Sequence, residues 1–576
     1  MTGGDAFLFD LTPHHDVRAP ARWQGTGRHG GWVYLLPAAA LVSAVLLAPL
    51  AVTAVTSLTG GPSAYLSVLT DQDVRFALLH SLGWLLLALG VCGLGLGLAR
   101  LAQDAGPRTR ALLLAALALP AVTSPLTAGT AFRLIFDADP ARGTVSALLP
   151  GGAPFLGPGW IWLVLGLAFV WQWTGLACLA FQVGLANLPT GLLRVARVFG
   201  AGRLRRFRAV VAPALFPTAG LVMLVVLTAA VRVFELVLVG APGSVQARVD
   251  VVGLFWWRHR GDLGDGPAAA LGVLLTVMAM AVAAVTALLW RVRRNWTDAG
   301  PPARLAAPPT RRRGPAALTG AAAVAIALIW ALPFAVLLLT SLRSPEAVAT
   351  SGWWTGGYGL GSFREAFEGG VFAGALGATA ERAVLVAALV VLFAVPAAYA
   401  LTPGRLPARA QRIAAAVAVL LAVLPPQVAA MPLAEMLGAL VGVTVVLAVI
   451  QAALVLPLGV LLLRGAFIAV PRPVVLRPLA EGRSAIARMT VESGPAVLAV
   501  AVLAFVLAWN DLVAGLLLNW PAADQAPLVV LQQTRHFSTS AGAFAAQEVV
   551  LTVVPVVLAL ATGRVLARGL TRGVRR

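Results

Sequence analysis

The segment Pro189-Thr190-Gly191-Leu192-Leu193-Arg194-Val195-Ala196-Arg197-Val198-Phe199-Gly200-Ala201 decides how the chain is organised, because its punctuation recurs. Pro189, Gly200 and Pro213 have the spacing P-x10-G-x12-P, and Pro471, Gly482 and Pro495 repeat it without a shift. Pro and Gly frequencies alone give roughly 0.25 such spacings in a chain of this length. Two copies, each followed by a long apolar run, point to a tandem duplication. Pro189 and Pro471 suit the first turn of a helix, and Gly200 and Gly482 suit a turn at positive φ. The interval between them fits a short helix, followed by a second segment that enters the membrane near Pro213 or Pro495. As plain connecting loops the two copies need only Pro and Gly punctuation. As helix-turn units, one per half, they form a pair of docking surfaces.

The surroundings of both loops are apolar. Of 576 residues, 59% are hydrophobic and 11% charged, with mean hydropathy +0.88. A soluble domain carries about 25% charged residues, so the chain reads as an integral membrane protein. All 43 basic residues are Arg. A P-loop needs a Lys to reach the β and γ phosphates, so this chain cannot hold ATP in that way. The formal charge of +20 falls mostly in short runs between apolar segments, which is an orientation signal rather than a nucleic-acid face.

Twelve apolar runs are expected as spans: 32–58, 78–100, 111–132, 160–184, 213–240 and 267–290, then 316–342, 377–402, 411–433, 441–463, 495–518 and 544–566. The first run is too long, and too far from the start, for a cleavable signal peptide. With a cytoplasmic N-terminus, 32 of the 43 Arg lie in inside tails, loops and linker, which places both termini inside. Tryptophans such as Trp32, Trp160, Trp290 and Trp353 stand at predicted span ends, where interfacial anchors belong. The fold class is therefore all-α, with two tandem six-helix repeats. A tail (1–31) precedes the first repeat (32–292, loop 186–212). An Arg- and Pro-rich linker (293–315) leads to the second repeat (316–567, loop 468–494) and a basic tail (568–576).

The first loop resembles the EAA motif of binding-protein-dependent ABC importer permeases, close to I-P-x-x-l-x-E-A-A-x-x-D-G-A, and Pro471 to Gly482 resembles a second copy. Leu424-Pro425-Pro426-Gln427, Leu456-Pro457-Leu458-Gly459 and Phe505-Val506-Leu507-Ala508-Trp509-Asn510-Asp511 are similar to the carbohydrate, maltose-type branch. In the first half Pro120 to Phe136 and Val233-Phe234-Glu235, with Gly240-Ala241-Pro242-Gly243, look like its partner subunit. The resemblance covers nearly everything beyond residue 30 and implies two permease subunits in one chain. It implies ATPase-docking residues at Pro189, Arg194, Ala196, Arg197, Gly200 and Ala201, and at Pro471, Leu476, Glu481 and Gly482. Trp509, Asn510, Asp511 and Glu235 become pathway or helix-kink residues. The family's glutamate position holds Arg194 in one copy and Leu476 in the other; its aspartate position holds Phe199 and Glu481. Pro473 and Pro478 also interrupt the second docking segment.

What the resemblance implies is a permease for a sugar or oligosaccharide, not an enzyme, in the cell membrane of a bacterium. Its partners would be a cytoplasmic ABC ATPase dimer carrying ATP and Mg, an extracytoplasmic solute-binding protein and membrane lipid. Fused permeases for thiamine, ferric iron or a polyamine stand beside this reading. So does a six-plus-six secondary transporter, because Gln103 to Arg110 faintly resembles a major-facilitator loop. Such a carrier needs carboxylates or His at mid-membrane, and none is expected there. Arg133, Arg232, Glu235, Arg382, Glu435 and Asp511 all fall near predicted span ends and are expected to be interfacial. The six His have no metal-ligand spacing, and Cys92 and Cys178 are expected to be free thiols in apolar runs. Asn295-Trp296-Thr297 matches a glycosylation sequon on the predicted cytoplasmic side.

Overall fold

A computed structural model of the chain describes residues 30–139, 143–148, 154–186, 188, 190–292, 316–344, 347, 357–470, 484–518, 524–533 and 541–572. The described residues are helical, with two isolated bridges and no strand. The first set of helices is α1 (Gly31–Thr59), α2 (Gly61–Thr70), α3 (Gln72–Asp104), α4 (Pro107–Val122), α5 (Pro125–Ile135), α6 (Ile161–Ala186), α7 (Thr190–Val198), α8 (Leu204–Val231), α9 (Glu235–Gly240), α10 (Val252–His259) and α11 (Asp265–Val292). The second set is α12 (Ala316–Ser341), α13 (Gly361–Phe367), α14 (Val371–Ala400), α15 (Ala408–Val423), α16 (Gln427–Leu437), α17 (Thr444–Ile468), α18 (Ala485–Glu492), α19 (Gly494–Trp509), α20 (Val513–Leu518), α21 (Ala526–Gln533) and α22 (Ala541–Arg572). Among the described residues nine helices are long and apolar enough to cross a membrane, and three bent pairs bring the number to twelve.

Two kinds of span differ from the sequence expectation. The third span of each half, expected at 111–132 and 411–433, is broken: α4 meets α5 at 111° and α15 meets α16 at 92°. The cause is local. Residues that precede proline avoid the helical region, and Ser124 (ψ 147) before Pro125 and Leu424 (ψ 127) before Pro425 are both extended. Ser124 then caps α5 by accepting the Leu126 N–H at 3.1 Å. The fifth spans, expected at 213–240 and 495–518, stop at Val231 and Trp509. Arg232 (φ −90, ψ 9) and Asn510 (φ −88, ψ 0) leave the helix in the same conformation, and the short helices α9 and α20 follow. Hydropathy passes smoothly through all four breaks and does not register them.

The packing repeats between the halves. Helix α3 lies on α6 as α14 lies on α17; α8 lies on α11 as α19 lies on α22; α9 lies on α5 as α20 lies on α16. This is a pseudo-two-fold bundle. The first spans cross over: α1 packs on α14 and α17 of the second half, and α12 packs on α4 and α5 of the first. At one crossing the Trp171 indole donates to the Trp330 carbonyl (2.8 Å) and the Trp330 indole donates to the Trp171 carbonyl (3.1 Å). At the other, Tyr34 meets Tyr399 edge-on at 5.2 Å and the Arg405 guanidinium stacks 4.5 Å above Tyr399.

The reciprocal tryptophan pair is testable. Trp171→Phe and Trp330→Phe each keep a ring and remove one donor. A hydrogen bond between membrane helices is worth about 0.6 kcal/mol on average, so the double variant is expected to lose about 1 kcal/mol and to lower the thermal midpoint of the solubilised protein. A midpoint equal to that of the unmodified chain would show that the pair contributes nothing to the crossing.

Candidate docking loop and the seam between the halves

Helix α7 follows the break after α6 and ends as a Schellman motif. Gly200 has φ +71, its N–H donates to the Arg197 carbonyl at 3.0 Å, and the Ala201 N–H donates to the Ala196 carbonyl at 2.9 Å. Ala196, Arg197, Gly200 and Ala201 therefore build one sharp turn. It displays Arg194 and Arg197 beside two bare apolar groups, Val198 (85% exposed) and Phe199 (82%). An open groove of about 490 Å³ adjoins the base of α8, lined by Leu204, Arg205, Arg208 and Ala209. Arg100 of α3 stacks 4.5 Å above Phe207 and fixes that base in place. The surface is cationic at its edges and apolar at its tip. Its complement is an apolar socket with an acidic rim. Pro189, and Pro471, Leu476, Glu481 and Gly482 of the second loop, lie outside the described residues.

Of the other predicted residues, Glu235, Asn510 and Asp511 meet at the seam between the halves. Trp509 braces its own half, its indole donating to the Leu551 carbonyl of α22 at 3.0 Å. Asn510 crosses the seam and donates to the Val122 carbonyl, at the break between α4 and α5, at 3.0 Å. Asp511 accepts from Gln451 at 2.6 Å and from the Ala514 N–H at 3.3 Å, which caps α20. Arg232 and Glu235 come from the first half into electrostatic reach of Asp511. Arg382 of α14 approaches both Asp511 and Asp524, the latter at 3.8 Å. Glu235, Asn510 and Asp511 are thus brought together, while Trp509 faces away from them.

One expectation needs correction here. Arg382 is buried well within α14 rather than at a span end, whereas Arg232, Glu235 and Asp511 stand just past the ends of α8 and α19, where the fifth spans stop. Glu435 is exposed on the last turn of α16, as an interfacial group would be. Glu548, a carboxylate that the sequence reading passed over, is fully buried in α22 and accepts the Thr127 hydroxyl of α5 at 2.6 Å. Gln172 of α6 donates to the Thr123 carbonyl at 3.2 Å, so two carbonyls of the first break, Val122 and Thr123, are held by side chains. A polar residue inside an apolar run was the available signal for Gln172 and Glu548.

A second repeat was missed on the opposite ends of the helices. Ser81 of α3 accepts the Val252 N–H at 3.1 Å and Thr379 of α14 accepts the Ala526 N–H at 2.9 Å, so each short helix α10 and α21 is capped by a hydroxyl of the same long helix of its half. An aspartate, Asp250 or Asp524, stands two residues before each. Burial pushes the Asp250 carboxyl above the usual carboxylate range, against the pull of Arg258 at 2.8 Å.

No family model matches the chain. Among curated proteins it is 26% identical to a probable ABC transporter permease protein of Pyrococcus horikoshii, over 46% of this chain and 97% of that protein. It is 23% identical to the alpha-glucoside transport system permease protein AglF of Rhizobium meliloti, over 47% of this chain and 83% of AglF. It is also 28% identical to the arabinooligosaccharides transport system permease protein AraP of Bacillus subtilis, over 31% of this chain and 58% of AraP, a little over half of AraP's length. The chain is homologous to sugar ABC-transporter permeases. It is about twice as long as these permeases, and a nearly complete one occupies slightly less than half of it. The doubled length and the doubled packing agree.

Proposed function

We propose that this chain is the fused transmembrane permease of an ATP-driven importer for a sugar or oligosaccharide, with the pathway at the seam between the halves. The single observation that carries the reading is the doubling. Relatives named as permeases for arabinooligosaccharides and alpha-glucosides match 31% and 47% of the chain, neither more than half of it, and the fold repeats its packing in two halves. Two ATPase domains on a separate chain, holding ATP and Mg, dock at 186–212 and 468–494. A solute-binding protein engages the outer segments 232–266, 343–376 and 519–543. The chain sits in the bacterial cell membrane with both termini cytoplasmic. Closing the ATPase dimer draws the two loops together and tilts the halves, which opens the seam outward by rigid-body motion.

The test is co-purification of the tagged full chain from native membranes, followed by uptake of a labelled oligosaccharide into vesicles. The expected result is an ATPase chain retained in stoichiometric amount, and uptake that requires internal ATP and persists with a protonophore. Uptake that collapses with the proton gradient while ATP remains, with no ATPase retained, would overturn the proposal in favour of a secondary transporter.

A further inference from the structure

Glu548 is a carboxylate at the seam without a full set of partners. It is fully buried on α22. Its Oε2 accepts the Thr127 hydroxyl from across the seam at 2.6 Å, and its Oε1 has no hydrogen-bond partner. The elements packed on α22 are the end of α4, α5, α12, α13, α17, α19 and α21. They bring only Arg133, Arg364, Glu365 and Arg464 as charged groups, and none of these acts on Glu548. A buried carboxylate with neither counter-charge nor full hydrogen bonding is costly in a membrane. Its charge is balanced by a proton or by a cation.

The surroundings specify what that is. Thr130, fully buried, sits beside the carboxylate, and its hydroxyl donates to the Leu126 carbonyl at 3.0 Å. Thr552, one turn along α22, donates to Thr127 Oγ1 at 3.5 Å. All four side chains offer oxygen, which selects a hard cation over a soft one. One carboxylate supplies one negative charge, and no group of three His, Cys, Asp or Glu side chains able to hold a metal occurs among the described residues. A divalent ion usually takes more than one carboxylate or keeps several waters. We propose that Glu548, Thr127, Thr130 and Thr552 form a binding site for a sodium-sized monovalent cation, with ligands from both halves of the chain. On binding, the Thr127 hydroxyl turns its proton away from Glu548 and presents a lone pair instead. Because Thr127 and Thr130 lie on α5 and Glu548 and Thr552 on α22, the ion ties the two halves together where they face each other.

The experiment uses the full chain in lipid nanodiscs at fixed pH and ionic strength, with sodium chloride exchanged for choline chloride. Thermal unfolding and equilibrium binding of radioactive sodium are both read. The expected result is one saturable sodium site per chain. At sodium tenfold above the dissociation constant the unfolding equilibrium shifts about elevenfold toward the folded state. Glu548→Gln, which keeps the shape and removes the charge, abolishes the binding and the shift. Thr130→Val weakens sodium binding at least tenfold while Thr130→Ser retains it, a comparison that holds even if the Glu548 variant does not fold. Absence of sodium binding in the unmodified chain overturns the site. Undiminished binding in Glu548→Gln overturns it too, as does a stability that follows pH and ignores sodium, which would make the balancing charge a proton.

Discussion

Replacing Val198 and Phe199 with aspartate is expected to strip the ATPase from the purified chain and to abolish ATP-driven uptake, with the fold of the permease intact. Both side chains stand in solvent, 85% and 82% exposed, so the fold has little to lose by the change. A partner that covers them gains about 1.5–3 kcal/mol for each, and two such losses weaken docking by a factor of roughly 100 or more at about 1.4 kcal/mol per tenfold. The charge of the loop gives the second arm of the test. In related permeases the position of Arg194 holds a glutamate, as the resemblance of the motif implies, so a partner matched to this chain must present an acid there. Arg194→Glu restores the family's residue and is nonetheless expected to weaken docking, because it sets two carboxylates face to face. Retention of the ATPase through a pull-down of the double aspartate variant, with uptake unchanged, would remove α7 from the docking surface. Tighter docking by Arg194→Glu would instead show that the partner keeps the family's basic groove.

Much of this architecture is legible in the sequence because a bilayer imposes it. Apolar runs of about 20 residues have few alternatives to a spanning helix, and the two Pro-Gly loops mark the period of the duplication. What escapes is where a span breaks. Thr123-Ser124-Pro125 and Leu424-Pro425 lie inside runs that hydropathy reads as continuous, and only the pre-proline restriction hints at bends of 111° and 92°. The seam escapes for a different reason. Thr127 and Glu548 are 421 positions apart and Asn510 and Val122 are 388 apart, so no local pattern links them. Glu548 stands early in an apolar run and looks like an interfacial residue. Only the packing of α5 on α22 shows that it faces inward. Arg382 misleads in the same way, because α14 begins at Val371, several residues earlier than the apolar run suggests. The turn at Gly200 is readable because glycine takes positive φ without steric cost and stands at a helix end, after Pro-punctuated helical spacing.

The larger structural effect is expected from a single methyl group. A Cβ added at Gly175 of α6 would lie 1.6 Å from the Leu117 carbonyl oxygen and 2.5 Å from its carbon. Both belong to helix backbone, so no side-chain rotamer relieves the clash and α4 must move as a body. Extra methylenes in a packed core usually cost about 1–3 kcal/mol; here the obstacle is a peptide group, and the cost is expected to lie above that range. Membrane helices associate through such close approaches between small residues, without a hydrophobic drive to compensate for separation. Helix α4 also leads into the break held by Asn510 and Gln172 and carries the crossing of α12. Displacing it disturbs the seam and the junction of the halves together. Gly175→Ala is therefore expected to yield no monodisperse full-length protein in detergent. Gly97→Ala, on α3 where no atom lies within 4 Å of the added carbon, is expected to elute like the unmodified chain. Fluorescence-detected size exclusion of the two tagged variants separates the outcomes. A sharp peak for Gly175→Ala at the unmodified position would mean that α4 and α6 are not in backbone contact.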